Sequence, residues 1–350
     1  MKVGLFTSVF FNNIGNAFID LGAEETLKAA LPEDAEIVKL SQCANFAASL
    51  GWSFTIKESL LVRWIWEHTV QHFEKKVHDK VYSIVSTLDV FSPAKIAKLD
   101  CLILPGCILT ESFFRIYGKL LECKVEQGCK LIFLGASGNF YTANEVACVK
   151  EWLGKLHPTA LMFRDSVAYE YYKDYAPYSY NGIDNAFFVN RLNIPKTETT
   201  MDPYVVLNFD IPKHKVFKEQ LEQSIKDKSF VYTDHKPYPY IKISNLAKKD
   251  VMCSDYPLDY LFLYRNVCET HSDRVHACIP TLAFGNKAQL YSESPRIALF
   301  ENVGIDIKEM KQHPVSLDAA ALQALQSKQI EYLSQVLTAC CVESYVRGGQ

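Results

Sequence analysis

Two stretches decide the fold, DCLILPG at residues 100–106 and KLIFLGASG at residues 130–138. Each is an apolar run of strand length that ends in a glycine-bearing loop, and a helix-length segment separates them. Short apolar runs of this kind, closed by glycine and separated by helices, predict parallel strands buried on both faces of a doubly wound sheet. Ligands of that architecture bind at the carboxyl ends of the strands, where these glycine loops lie.

Working outward, KVGLFTSVF (2–10) predicts a first strand, FIDLGAEETLKAAL (18–31) has helical spacing, and AEIVKL (35–40) predicts a second strand. From Phe54 to about Lys80, the apolar residues Ile56, Leu60, Leu61, Ile65, Val70 and Phe73 fall broadly on one side of a long helix. The middle of the chain, from Ala160 to Val189, is tyrosine-rich and carries turn signals. The segment NRLNIPKTETTMDP (190–203) is polar with two prolines, which places the domain boundary there. A second alternation follows: YVVLNFD, a helix from His214, FVYTDH, a helix around Leu258–Cys268, VHACIPTLAFG, KAQLYS and a last helix from about Leu317 to Val346. The expectation is an α/β protein with two Rossmann-like domains facing a central cleft. Residues 1–190 form the N-terminal domain, 203–315 the C-terminal domain, and 316–350 a helix that packs back on the first domain.

Composition narrows the function. The chain has 350 residues, is 49% hydrophobic and 22% charged, and carries a net charge of -3. That balance excludes a basic face for nucleic acid. No apolar run reaches the ~20 residues of a membrane span. The N-terminus reads as a strand rather than a signal peptide, so a cytoplasmic location is expected. Eleven cysteines at irregular spacing, without a CxxC pair, read as reduced thiols that pack like small hydrophobes. No metal site is expected: His68 and His72 have metal-compatible helical spacing but no third ligand.

Three segments hold candidate site residues. In SDRVHACIPTLAFG (272–285), Ser272 or Asp273 can cap a helix whose first turn holds Arg274 and His276. A helix N-terminus attracts anions, arginine adds a rigid donor fork, and histidine can move a proton near neutral pH. The plainer alternative pairs Arg274 with Asp255 or Asp259 and satisfies His276 on backbone. In MFRDSVAYEYY (162–172), Arg164 and Asp165 follow an apolar run, either as a local ion pair or with Arg164 facing the cleft. In FNNIGNAFIDLGAEE (11–25), Asn13, Gly15 and Asn16 form the turn after the first strand, but neither a dinucleotide fingerprint nor a P-loop is present. The tyrosines at 169, 171, 172, 175, 178 and 180 are suited to stacking on sugar rings or to packing.

The order of these short motifs resembles the polysaccharide pyruvyl transferase family. The matching residues are Asn13–Asn16, Leu104–Gly106, Arg164–Asp165, Asp184–Ala186 and Ser272–His276. The chain departs from the family's usual aspartate at Asn16, its glycine triplet at Pro105–Gly106–Cys107 and its lysine at Arg296. The resemblance implies a GT-B-like fold and transfer of pyruvate from phosphoenolpyruvate, a co-substrate, to hydroxyls of a sugar acceptor, with no cofactor. It implies His276 and Arg274 as catalytic residues, and Arg164, Arg274 and Ser272 as donor contacts. Asn13, Gly15, Asn16 and Gly106 would be acceptor or loop contacts. A lipid-linked acceptor would bring the Phe54–Lys80 helix, with Arg63, Trp64 and Trp66, to a membrane surface. The alternatives are a GT-B-type glycosyltransferase using a nucleotide sugar, and a degenerate member that binds a glycan.

Overall fold

The computed structural model describes residues 1–7, 13–42, 93–201, 203–209, 214–225, 228–235, 251–254 and 256–347. The expected helix at Phe54–Lys80, with His68 and His72, lies outside the described residues, as does Asp255. The first sheet contains β1 (Lys2–Thr7), β2 (Glu36–Ser41), β3 (Cys101–Pro105), β4 (Lys130–Ala136), β5 (Ala160–Phe163) and β6 (Tyr178–Asn181), in the order β2-β1-β3-β4-β5-β6. The second contains β7 (Tyr204–Asn208), β8 (Ser229–Thr233), β9 (Val251–Met252), β10 (Glu269–Ser272) and β11 (Lys287–Leu290), in the order β11-β10-β7-β8-β9. Neighbouring strands pair in parallel in both sheets. The two-sheet α/β expectation is therefore met. All five residues of β3 and all four of β5 are buried, as apolar strands covered on both faces must be.

Helices α1 (Ile14–Ala30), α2 (Glu111–Glu126), α3 (Ala143–Leu156) and α4 (Ser166–Tyr172) belong to the first half. Helices α5 (Lys215–Ser224), α6 (Pro257–Asn266), α7 (Val275–Ala283), α8 (Ile307–Gln312) and α9 (Ala319–Arg347) follow. Thr110 and Thr142 cap α2 and α3 by accepting from the backbone N–H three residues on. The last helix does pack back: Leu333, Val336, Leu337 and Cys340 of α9 share a core with Val3, Leu5, Ala23 and Leu27. No helix among the described residues is long and apolar enough to cross a membrane.

Helix α1 joins the halves. Its Ile14, Phe18 and Ile19 sit in one core with Phe187, Tyr260, Tyr264 and Leu282. The Phe18 ring meets Tyr264 edge-on, with centroids 6.2 Å apart. The first backbone N–H of α1, from Ile14, donates to the His235 carbonyl at 3.1 Å.

Close approach explains one glycine. A Cβ on Gly22 would lie 1.7 Å from the Asn185 carbonyl oxygen, whereas one on Gly154, inside α3, would meet nothing within 4 Å. Gly22→Ala should therefore destabilise by ~1–3 kcal/mol or more, while Gly154→Ala should be neutral or stabilise by ~0.5–1 kcal/mol. Urea unfolding of both variants reads the contrast, and equal stabilities would contradict the α1 packing.

Candidate functional site

The carboxyl ends of the two sheets meet at Asp184. It lies just past β6, where Gly182 donates its N–H to the Phe163 carbonyl at 2.8 Å and returns the chain beside the end of β5. Its Oδ1 accepts from the Ala186 N–H at 2.7 Å and caps the 3-10 segment Asn185–Arg191. Its Oδ2 accepts from Arg164 Nη1 at 2.5 Å. On the other side of that oxygen, His276 Nε2 stands 3.5 Å away. At that distance and aim it is not a hydrogen bond, and Nε2 is a buried atom with no other partner among the described residues.

The three side chains shift one another. Burial works against the Arg164 charge, yet Asp184, with Cys107 and Asp165 beside it, tips the balance and raises the guanidinium above its ordinary value. Burial alone would raise the Asp184 carboxyl, but Arg164 and His276 pull it well below the usual carboxylate range. Burial pushes the His276 imidazole below its ordinary value; Asp184 opposes that, while Arg164 and Arg296 add to it. The result is an ionised carboxylate flanked by a fixed cation and by an imidazole disposed to be neutral. Such an imidazole can accept a proton and hold it opposite Asp184.

His276 occupies the first turn of α7 and is packed from the first domain. A Cβ on Gly15 would lie 2.9 Å from the His276 Cβ, so only glycine lets α1 start this close. Asn13 and Asn16 stand half-buried beside it, with Asn13 Nδ2 3.4 Å from Asn16 Oδ1. Gly106 ends β3 with φ +89°, where glycine is favoured. Across the cleft, Arg296 Nη2 donates to Asn139 Oδ1 at 2.6 Å. Asn302 Nδ2 donates to the Gly182 carbonyl at 2.6 Å.

Several expectations change. Arg164, expected to clamp a donor phosphate, is 1% exposed, and its Nε donates to Ser137 Oγ at 2.8 Å. Its charge is spent on Asp184. Nor is it a local ion pair with Asp165, which instead caps α4 by accepting from the Ala168 N–H at 2.8 Å. Ser272, expected as a donor contact, is fully buried. Its hydroxyl donates to Asn208 Oδ1 at 2.8 Å and accepts from the Arg274 N–H at 2.8 Å, which ties β10 to β7. The N-cap of α7 is Arg274, without a side-chain cap bond, rather than Ser272 or Asp273. Asp259, the alternative partner offered for Arg274, accepts from Ser254 Oγ at 2.6 Å. Asp184 was named in sequence only as part of the Asp184–Ala186 motif match and not as a site residue; its local signal is a capping aspartate after a glycine turn.

No protein-family model matches the chain, and no curated protein matches it in sequence. Solved structures do match. S. aureus MnaA, in a co-structure with UDP, is 12% identical with a TM-score of 0.53, over 96% of this chain and 91% of that one. The UDP-GlcNAc 2-epimerase of Neisseria meningitidis, bound to UDP-GlcNAc, is 11% identical with a TM-score of 0.52, over 98% and 100% of the chains. That of Methanocaldococcus jannaschii, in complex with UDP-GlcNAc and UDP, is 11% identical with a TM-score of 0.51, over 97% and 100%. At these identities the likeness establishes the fold, a GT-B-like pair of Rossmann-like domains. The resemblance to polysaccharide pyruvyl transferases is overturned: no such family model matches, and the structural neighbours are UDP-GlcNAc 2-epimerases.

The buried imidazole predicts a pH dependence. Unfolded, it takes a proton near its ordinary value of 6.5; folded, it does so only at lower pH. Between those values the unfolded chain holds more protons, so stability falls as pH drops through that window. Thermal unfolding from about pH 7 to about pH 5 should show the loss, and His276→Gln should flatten it. Identical slopes in both proteins would show that the imidazole is not held neutral by burial.

Proposed function

We propose that this protein is an enzyme acting on a nucleotide-diphosphate sugar, a UDP-sugar in the first instance, held in the cleft between its two sheets. The observation that carries this reading is the shared Asp184 carboxylate, which brings a proton-transfer histidine from one domain against a fixed Arg–Asp pair of the other. A buried group of that kind is expensive to maintain and typical of reaction centres. Neighbours of the same fold that were solved with UDP or UDP-GlcNAc support the choice of nucleotide sugar.

The chemistry follows from the groups present. The bond between sugar C1 and the diphosphate oxygen breaks, its electron pair leaves with the diphosphate, and the pair of the sugar's C2–H bond closes a C1–C2 double bond as that proton departs. Arg274 and the N-terminal end of α7 offset that negative charge. His276, neutral in the resting state, accepts the proton given up at the sugar. Asp184 then faces an imidazolium and stabilises it. Arg164 takes no part in proton transfer; it keeps Asp184 ionised and aimed.

Thermal-shift measurements with UDP, UDP-GlcNAc, UDP-glucose and GDP-mannose test the reading, since a ligand at 100 times its Kd adds ~2.7 kcal/mol of apparent stability. UDP and at least one UDP-sugar should stabilise the protein, and incubation should release UDP or convert the sugar. His276→Gln should keep that binding and cut turnover by ~100-fold or more. A protein indifferent to every nucleotide and nucleotide sugar would refute the reading.

A further inference from the structure

The last helix, α9, breaks the expected pattern on its inner face. Its buried residues Leu322, Gln326, Gln329, Leu333, Val336 and Cys340 follow one another at steps of four and three, the spacing of a stripe that packs on one surface. The stripe is apolar except for Gln326 and Gln329, which are 3% and 1% exposed. They lie where the helix passes from one core to another: Leu322 packs with Phe187 and Tyr260, and Leu333 with Val3 and Leu5. A side-chain amide taken out of water is costly unless its polar atoms find partners. Apolar residues would serve the packing better, so the glutamines answer a different requirement.

Both reach the segment that carries Asp184. Gln329 Oε1 accepts from the Ile183 N–H at 2.8 Å, and its Nε2 stands 3.5 Å from Asn185 Oδ1. One glutamine thus touches the residue before the aspartate and the residue after it. Asn185 is anchored through its other amide atom, with Nδ2 donating to the Leu134 carbonyl of β4 at 2.8 Å. Gln326 takes the far end of the segment, where its Nε2 donates to the Phe187 carbonyl and to Asn190 Oδ1, both at 2.8 Å. Between Ile183 and Asn185, the Asp184 backbone cannot move without breaking one of these bonds. Its Oδ2 stands between Arg164 and His276, where a small displacement lengthens one contact or the other.

We propose that Gln329 is a positioning residue for the reaction, holding the Asp184 carboxylate opposite His276 through the Ile183 N–H and Asn185. The proposal rests on the nucleotide-sugar reading above for its chemistry and on the contacts of α9 for its geometry. Gln329 touches neither the reacting atoms nor His276, and it carries no charge, so it acts by placement alone. The placement matters because an imidazolium at His276 is stabilised only as far as Asp184 faces it. A residue 146 positions along the chain from Ile183 thereby sets the geometry of the site. The charged groups around the imidazole are Asp184, which favours its protonation, and Arg164 and Arg296, which oppose it. When Asp184 retreats, the ring therefore takes a proton only at lower pH.

The full chain, 15N-labelled at histidine, tests the proposal, with the His276 signals identified by their loss in His276→Gln. The imidazole shifts are followed with pH in the native protein, Gln329→Met and Gln326→Met, and turnover of UDP-GlcNAc and UDP-glucose is measured beside them. Methionine keeps the length and packing of glutamine but lacks its amide. Gln329→Met should move the His276 titration to lower pH and cut kcat by ~10–100-fold with KM unchanged. Gln326→Met removes contacts to the same segment farther from Asp184, and should lower the unfolding temperature while leaving the titration and kcat in place. Gln329→Asn, one methylene short of the Ile183 N–H, should move the titration the same way and reads the contact if Gln329→Met does not fold. A His276 titration unmoved by either Gln329 variant, or moved equally by Gln326→Met, would refute the positioning role and leave the nucleotide-sugar reading standing. A titration moved by the Gln329 variants alone, in a native protein that turns over no UDP-sugar, would keep the hold of Gln329 on Asp184 and discard that reading.

Discussion

One buried carboxylate holds the cleft together. An isolated ionised carboxylate cannot be placed out of water without a cost of several kcal/mol, and partners in good geometry must offset it. Asp184 has those partners from three places: the Arg164 guanidinium at the end of β5, the Ala186 N–H of its own segment, and His276 at the start of α7. Separating the two sheets would strip the His276 contact and expose the pair that remains. The relative placement of the sheets and the protonation state of the site are therefore one constraint. The glycines of α1 serve it, because Gly15 and Gly22 let that helix lie against His276 and against the Asn185 backbone.

The apolar packing around this carboxylate makes the constraint stiff. Helix α1 follows β1 in the chain, yet half of its buried face belongs to the core of the second domain. Ile14, Phe18 and Ile19 pack with Tyr260 and Tyr264, while Ala23 and Leu27 pack with Val3, Leu5 and the last helix. Domains of one chain move freely when a small polar interface separates them, and much less when a large apolar one does. Here the interface is a shared helix. Opening the cleft by rotating the domains would pull Phe18 away from His235, Tyr260 and Tyr264, rings whose centroids lie 5.6, 6.5 and 6.2 Å from it. The spacing of Asp184 and His276 is thus built during folding rather than assembled on binding.

How much of this could be read from sequence depended on how each strand is satisfied. Strands β3 and β4 were legible because they are apolar throughout, apart from Lys130 at the start of β4. Strand β10, with the sequence ETHS, was not, although it lies inside the second sheet. Its side chains are polar and satisfied internally: Thr270 by Thr281 at 2.8 Å, Ser272 by Asn208 at 2.8 Å and His271 by Tyr291 at 3.1 Å. Hydrophobic periodicity cannot detect such a strand. The partner of Arg164 was hidden for a different reason. Asp165 is next to it in sequence, but the turn through β6 brings Asp184 back to it in space. The resemblance to pyruvyl transferases misled for a related reason. A glycine, an arginine and a helix cap recur at the carboxyl ends of any doubly wound sheet, so their order reports topology before it reports chemistry.

The distribution of charge then separates the two sides of the cleft. On the first-domain side of the cleft the deeply buried Arg164 is neutralised by Asp184, with Ser137 on its Nε. That side offers little net attraction to a phosphate, and its ionised carboxylate would repel one. On the second-domain side stand Arg274, the starts of α5 and α7, and a histidine held by Asp273. An anionic ligand group is driven to that side, and whatever it carries must extend toward Asp184. His276 lies between the two regions, in the first turn of α7 and 3.5 Å from Asp184. A molecule anionic at one end and rich in hydroxyls at the other would thus lie across the cleft in a single orientation, with the bond that joins its two parts beside His276. The fold sets that orientation through where it neutralises buried charge and where it gathers helix N-termini.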